Sequence, residues 1–283
     1  MDTKKILEQF TIHSEPNYIS QKNEEKIFES AFRSRIPVVI KGPTGCGKTR
    51  FIEHEAFKLN LPLITVSCHE DLTAADLVGR FIFKEDEMIW QDGPLTLAAR
   101  HGGICYLDEI VEARKDTTVI IHSLTDDRRT LYIDKTGELV EADPDFMMVM
   151  SYNPGYQSII KDLKQSTKQR FASLIFDNPS VDVETEIIRT EAGLSEEQSR
   201  KLAEMGEKIR ELKGFGLDEG VSSRLLVYVG RLMREGLSPV DACACAISRT
   251  LSDEKEVMKS MEDISRLYFG DLRETGSDDN TES

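Results

Sequence analysis

At 283 residues, with 39% hydrophobic and 31% charged side chains, the chain has the composition of a globular protein with its own core, and disorder or a fibrous repeat is excluded. Its formal net charge of −15 argues against sequence-independent binding to nucleic acid, which needs many cations facing phosphate. No apolar run reaches the length of a membrane span, and the opening MDTKKILEQF lacks the n-region and h-region of a signal peptide, so a cytoplasmic protein is expected.

Along the chain, NEEKIFESAFRSR (23–35) carries a helical period with Ile27, Phe28 and Ala31 on one face. Short apolar runs then alternate with helical stretches: PVVIK (37–41), LPLITVS (61–67), GICYLD (103–108), FMMVMSYN (146–153) and ASLIFD (172–177). Five buried strands alternating with helices predict an α/β fold around a parallel sheet. Two segments break the alternation. GRFIFKEDEMIWQDG (79–93) reads as a hairpin set into a helix and turning at Glu85–Asp86, and RRTLYIDKTGELVEADP (128–144) as a second hairpin turning at KTGE. After about residue 183 the pattern is purely helical. SEEQ (195–198) is a capping box opening a long helix, VSSRLLVYVGRLMREG a second, and SPVDACACAISRTL a third with Pro239 in its first turn. The closing ETGSDDNTES is acidic and polar, the composition of a disordered tail.

The cysteines, Cys46, Cys68, Cys105, Cys243 and Cys245, are odd in number and scattered, which fits reduced thiols. Cys243 and Cys245 fall on different sides of a helix and make a poor metal pair. His69 reads as a turn residue. No metal is expected beyond the one that accompanies a nucleotide.

The segment GPTGCGKT, running Gly42, Pro43, Thr44, Gly45, Cys46, Gly47, Lys48 and Thr49, matches G-x-x-x-x-G-K-S/T between a strand and a helix. In that context the glycines let backbone N–H groups approach phosphates, the lysine reaches the β- and γ-phosphates, and the threonine hydroxyl ligates Mg²⁺. GICYLDEI ends its strand in Asp108 and Glu109. A Walker B site needs an Asp there to hold Mg²⁺ through water, and a following Glu can take a proton from, or orient, the attacking water. Asn153 ends another strand, Arg170 precedes the last one, and Arg224 opens a helix of the second region. Each alone is an ordinary turn or surface residue. Those motifs fit an ATPase motor, a small-molecule P-loop kinase or a non-catalytic module that binds ATP to hold an assembly; Glu109 favours turnover.

In this order the motifs resemble an AAA+ ATPase of the MoxR group. KGPTGCGKTRF, CHEDLTAADLVGR, WQDGPLTLAAR, GICYLDEIVEARKDTTVIIHSLTDDRR, SYNPGYQS and LKQSTKQRF are similar to the CbbQ/NorQ family, over residues 12 to 270 and most of all over 36 to 171. The resemblance implies a P-loop NTPase domain over 1–183 with a five-stranded parallel sheet, a helix-2 insert at 81–90 and a pre-sensor-1 hairpin at 129–142. A helical lid over 184–270 and an acidic tail at 271–283 follow. It also implies that Lys48 and Thr49 are Walker A, Asp108 and Glu109 Walker B, Asn153 sensor 1, Arg170 the arginine finger and Arg224 sensor 2. Arg128 and Arg129 are further candidates for the finger. A finger acts across a subunit boundary, so a homo-hexameric ring with ATP and Mg²⁺ is implied. Members work with a von Willebrand factor A domain protein of the CbbO/NorD type. The likeness to CbbQ-type members implies release of inhibitors from Rubisco; the alternative client is nitric oxide reductase, as for NorQ-type members.

Overall fold

The computed structural model describes residues 3–84, 86–154, 165–214, 216–217 and 219–270; the expected tail lies outside them. The chain divides into two compact units, Met1–Asp177 and Asn178–Ser283.

In the first unit, strands β1 (Val38–Lys41), β2 (Leu63–Ser67), β5 (Gly103–Asp108), β8 (Phe146–Tyr152) and β9 (Ala172–Ile175) form one five-stranded sheet in the order β2-β5-β8-β1-β9. All its pairings are parallel. Helices α1 (Thr3–Glu8), α2 (Glu24–Arg33), α3 (Lys48–Leu59), α4 (Ala74–Val78), α5 (Pro94–His101), α6 (Lys115–Ile120) and α7 (Gln165–Lys168) surround it. Alternate residues of each strand feed two cores. Ile40, Ile104, Tyr106, Met147 and Val149 pack with Phe28 of α2 and Phe51 and Ile52 of α3. Val39, Cys105, Leu107, Met148 and Met150 pack with Leu95, Ala98 and Ala99 of α5. A strand covered on both faces has no polar side, which is why β8 is apolar at every position but Ser151 and Tyr152 and buried at all seven.

The hairpins stand apart as two-stranded sheets, β3 (Gly79–Lys84) with β4 (Glu87–Asp92) and β6 (Thr130–Ile133) with β7 (Glu138–Glu141). The first separates α4 from α5. Lys84 pairs with Glu87 across a two-residue loop in which Asp86 takes φ 63°, the left-handed geometry such a tight turn requires. On α2 the buried face is Glu24, Phe28 and Ala31, while Ile27 is exposed. The expected stripe of Ile27, Phe28 and Ala31 is therefore rotated. Glu24 can be buried because Tyr18 Oη and the N–H groups of Gln21 and Lys22 donate to its carboxylate at 2.7–2.8 Å, satisfying the charge that burial would strand.

The second unit is helical: α8 (Val181–Ala192), α9 (Glu196–Arg210), α10 (Ser223–Arg234), α11 (Pro239–Cys243), a π-helical turn at Ala244–Ser248, α12 (Arg249–Leu251) and α13 (Lys255–Phe269). Ser195 and Gln198 form the capping box of α9, and Ser222 and Ser238 cap α10 and α11. Cys243 is buried and Cys245 exposed. A boundary after residue 183 would cut through α8. The structure puts the junction ahead of that helix, because Ile188 and Ala192 belong to the core of the second unit. Glu184 of α8, with no exposed surface, accepts from Arg210 Nη1 at 2.8 Å, from Arg210 Nη2 and from Ser223 Oγ, and Arg210 Nε donates to the Val221 carbonyl. One carboxylate thus ties three helices. Removing it leaves a largely desolvated guanidinium without its ion-pair partner, which costs about 3–5 kcal/mol. Glu184→Ala is expected to lower the unfolding free energy by that amount, read by denaturant titration, with hydrogen-exchange protection lost across the second unit and kept in β5 and β8.

Candidate functional site

The turn between β1 and α3 is held open by its glycines. Gly47 sits at φ 100°, where side chains are rarely accommodated. A Cβ on Gly42 would come within 2.6 Å of the Phe176 carbonyl oxygen, so the loop can lie against the end of β9 only as glycine. The Gly42 N–H donates to the Tyr152 carbonyl, which ties the loop to β8. Lys48 Nζ curls back and donates to the carbonyls of Gly42 and Pro43, both at 2.8 Å. Its charge is thus held over the cradle by weak neutral acceptors, ready for a stronger anionic one.

Asp108 ends β5 beside the loop, and the parallel register places Ser151 of β8 next to it. Ser151 Oγ donates to Asp108 Oδ1 in a short hydrogen bond and accepts from the Glu109 N–H at 3.3 Å. Tyr106, two residues back on the same face of β5, donates to Asp108 Oδ1 at 2.8 Å and stands 3.0 Å from Ser151 Oγ. Its hydroxyl is 3.5 Å from Thr49 Oγ1, so the first turn of α3 joins the same network. Burial, reinforced by the Asp108 charge, pushes the Tyr106 phenol above its ordinary value, which keeps it a donor. Glu109 itself adopts φ 54°, ψ 45°. That left-handed backbone, uncommon outside glycine, turns its side chain away from the strand line. Neither Tyr106 nor Ser151 stands out in the sequence. The signal was there in GICYLDE and FMMVMSYN as a polar group at an otherwise apolar strand position, but only the register makes the two meet.

Asn153 follows β8, and its Nδ2 donates to Thr44 Oγ1 of the loop at 3.4 Å. Gly42, Thr44, Lys48, Thr49, Asp108, Glu109 and Asn153 are therefore gathered at the carboxyl ends of adjacent strands, where open α/β sheets bind ligands. Arg170 is not among them: Nη1 donates to the His122 carbonyl at 2.6 Å and lies 3.3 Å from Asp126 Oδ2. Arg128 pairs with the same carboxylate at 2.6 Å, and these two arginines, Arg128 foremost, hold Asp126 below the usual carboxylate range. Arg129 has a different task, donating to the carbonyls of Asp143 and Phe146 with φ 47°; it braces the base of the second hairpin. Arg224 is exposed on the first turn of α10 in the second unit.

The hairpins carry apolar side chains into solvent: Phe83 and Met88 on one, Tyr132 and Leu139 on the other. Arg100 of α5 links them. Its Nε donates to Asp92 at the end of the first hairpin at 3.0 Å and its Nη2 to Glu138 of the second at 2.9 Å.

With this geometry in hand, comparison with known proteins is specific. Residues 37–171 match the AAA domain (dynein-related subfamily), and residues 184–268 match the CbbQ/NirQ/NorQ C-terminal family. The chain is 54% identical over 261 residues to Protein CbbQ of Hydrogenophilus thermoluteolus, covering 92% of this chain and 98% of that one. It is 52% identical over 255 residues to Protein NorQ of Paracoccus denitrificans, covering 90% and 94%. In fold it is similar to NtrX from Brucella abortus solved with ADP, at a TM-score of 0.54 and 17% identity over 90% of this chain and 64% of that one. The AAA domain makes the protein a nucleotide-binding ATPase, and the half-identical relatives, aligned over almost their whole length, make it a member of the CbbQ/NirQ/NorQ family.

Proposed function

We propose that this ATPase is a ring-forming remodelling motor whose turnover is used to activate a metabolic enzyme. The observation that carries the hydrolytic half is the network from Thr49 through Tyr106 and Ser151 to Asp108 and Glu109, which presents one hydroxyl and one carboxylate to a cation beside the P-loop and holds a second carboxylate next to them. Hydroxyl and carboxylate oxygens are the donor set that suits Mg²⁺. Thr49 would hold the ion directly and Asp108 through water, and the ion would neutralise charge on the β- and γ-phosphate oxygens. Backbone N–H groups of Thr44 to Lys48 would cradle the phosphates. Lys48 leaves its carbonyl partners for them, Asn153 positions the lytic water, and Glu109 takes its proton as oxygen bonds to the γ-phosphorus and the bond to the ADP oxygen breaks. The cleft of about 370 Å³ lined by Tyr18, Ile27, Leu174 and Phe176 touches the loop through Phe176 and is large enough for a base.

The partner half rests on Arg170 and the hairpins. Arg170 sits away from the P-loop of its own chain, on Asp126, as expected of a finger that serves a neighbour's nucleotide in a homo-hexameric ring. Arg224 would act as sensor 2, carrying nucleotide state to the helical lid. The solvent-facing Phe83, Met88, Tyr132 and Leu139, coupled through Arg100, form the surface that would deliver movement to a von Willebrand factor A domain partner and its client. The client we favour is inhibited Rubisco, in line with the resemblance to CbbQ-type members; nitric oxide reductase is the second reading, since identity to the NorQ protein is nearly as high. Five free thiols, four of them buried, and no described helix long and apolar enough to cross a membrane suit work in the cytoplasm.

Glu109→Gln is expected to bind ATP normally and to lose at least about 100-fold in turnover, the contribution of a positioned base. Held in ATP, that variant should retain a von Willebrand factor A domain protein together with Rubisco in a pull-down from the native host; retention of nitric oxide reductase instead would reassign the client, and unchanged turnover would remove Glu109 from the mechanism. Ser151→Ala should raise the Mg²⁺ concentration for half-maximal turnover about tenfold, the usual penalty for losing a group that orients a metal-holding carboxylate. Arg170→Ala and Lys48→Ala should each be inactive, the first by about 10³-fold, yet regain activity when mixed, because a Lys48→Ala subunit can lend its Arg170 to a neighbour with an intact loop. Mixing without recovery rules out action in trans.

A further inference from the structure

Two turns beyond the P-loop, α3 carries a cluster that the nucleotide chemistry does not use. Glu55 faces inward with no exposed surface, and neither carboxylate oxygen has a hydrogen-bond partner among the described residues. The adjacent His54 Nδ1 is also buried and unpartnered. Glu25 of α2 completes the group: its Oε2 lies 3.9 Å from His54 Nε2, and one ligating atom from each of Glu25, His54 and Glu55 falls within 4.8 Å of the others.

The surroundings are acidic. Glu24 is satisfied by Tyr18 and two backbone N–H groups, and Lys58 is engaged by Glu25 at 2.8 Å and Glu29 at 2.6 Å. Burial, opposed by Lys58 and reinforced by Glu25, Glu29 and Glu24, pushes the Glu55 carboxyl up to about 8. Protonation alone does not resolve its position, because the O–H so formed would be a buried donor with no acceptor at hydrogen-bond distance among the described residues. A cation resolves it, satisfying both oxygens and the acidic field together.

We propose that Glu25, His54 and Glu55 form a site for a first-row divalent cation of the zinc class. One imidazole and two carboxylates are a borderline ligand set that suits zinc and leaves a fourth position for water, whereas Mg²⁺ and Ca²⁺ favour oxygen alone. Ligands on a tetrahedral ion stand about 3.3 Å apart, which small side-chain rotations reach from the present spacing. The site is separate from the nucleotide's own: from Thr49 to Glu55 the helix rises about 9 Å. Its ion cross-links α2 to the P-loop helix.

The test uses the full chain, stripped of metal and nucleotide and titrated with Zn²⁺ against a chromophoric chelator. One tight equivalent is expected in the wild type and in Thr49→Ala, weakened at least about 100-fold in Glu55→Gln and in His54→Ala. Zinc should raise the melting temperature of the wild type and leave that of Glu55→Gln unchanged. Equal zinc affinity in all four proteins, a tight equivalent lost only in Cys245→Ser, or no tight equivalent at all overturns the site.

Discussion

The parallel register of β5 against β8 is the constraint on which the rest of the first unit depends. Tyr106 is paired with Val149 and Leu107 with Met150, so the next positions, Asp108 and Ser151, arrive side by side at the carboxyl end of the sheet. Because side chains alternate along a strand, a slip of one residue would send Ser151 into the α5 core and leave Asp108 facing methionine. The register is defended by the apolar residues behind it. Phe146, Met148 and Met150 fit one core and Met147 and Val149 the other, so every misaligned pairing would expose or misplace several large side chains. The polar cluster is costly to bury and is tolerated because its members satisfy one another: a hydroxyl that both donates and accepts, a phenol that donates, and a carboxylate that accepts twice.

The arginines near the site divide by what they touch, not by where they fall in the chain. Arg128 and Arg129 are neighbours, yet one is an exposed partner of Asp126 and the other is half-buried against backbone carbonyls. Arg170, 44 positions from Asp126, ends at the same carboxylate as Arg128. Two cations on one acid form a balanced pair of contacts from which either guanidinium can be drawn by a stronger anion. A phosphoryl group offered by another subunit is such an anion, and the proposed ring supplies it. The same economy appears in Arg100, whose planar fork bridges two hairpins that are separate in sequence and in sheet. The two candidate client-facing surfaces are thereby coupled.

Among the described residues, Glu24, Glu55 and Glu184 are the buried carboxyl side chains. Glu24 has its charge met by backbone N–H groups and a phenol, and Glu184 by a guanidinium and a serine. Glu55 is buried as deeply and meets nothing among the described residues. The contrast among three acids of the same kind gives the proposed cation its force: donors, a cation or protonation make such burial tolerable, and a protonated Glu55 would still bury an O–H with no partner in reach among the described residues.

How much of this was readable beforehand follows from the range of each interaction. Strand-length apolar runs, the glycine-rich turn with Lys48 and Thr49, Asp108 at a strand end, the two hairpins and the Ser195 capping box are local patterns, and the sequence by itself determined them along with the α/β fold. Of the strand order, the family resemblance implies only that the strand of Asn153 lies between those of the P-loop and of Asp108, where β8 is found; the places of β2 and β9 came from the tertiary structure. Periodicity names a face but not its depth, so it could not show that Glu24 rather than Ile27 is buried on α2, nor that α8 packs with the helices after it. Ser151 with Asp108, Arg170 with Asp126, Arg210 with Glu184 and Glu25 with His54 are contacts between residues distant in the chain. Only the tertiary structure decided these, because packing of the sheet and helices, and no local preference, sets which polar groups are forced to meet.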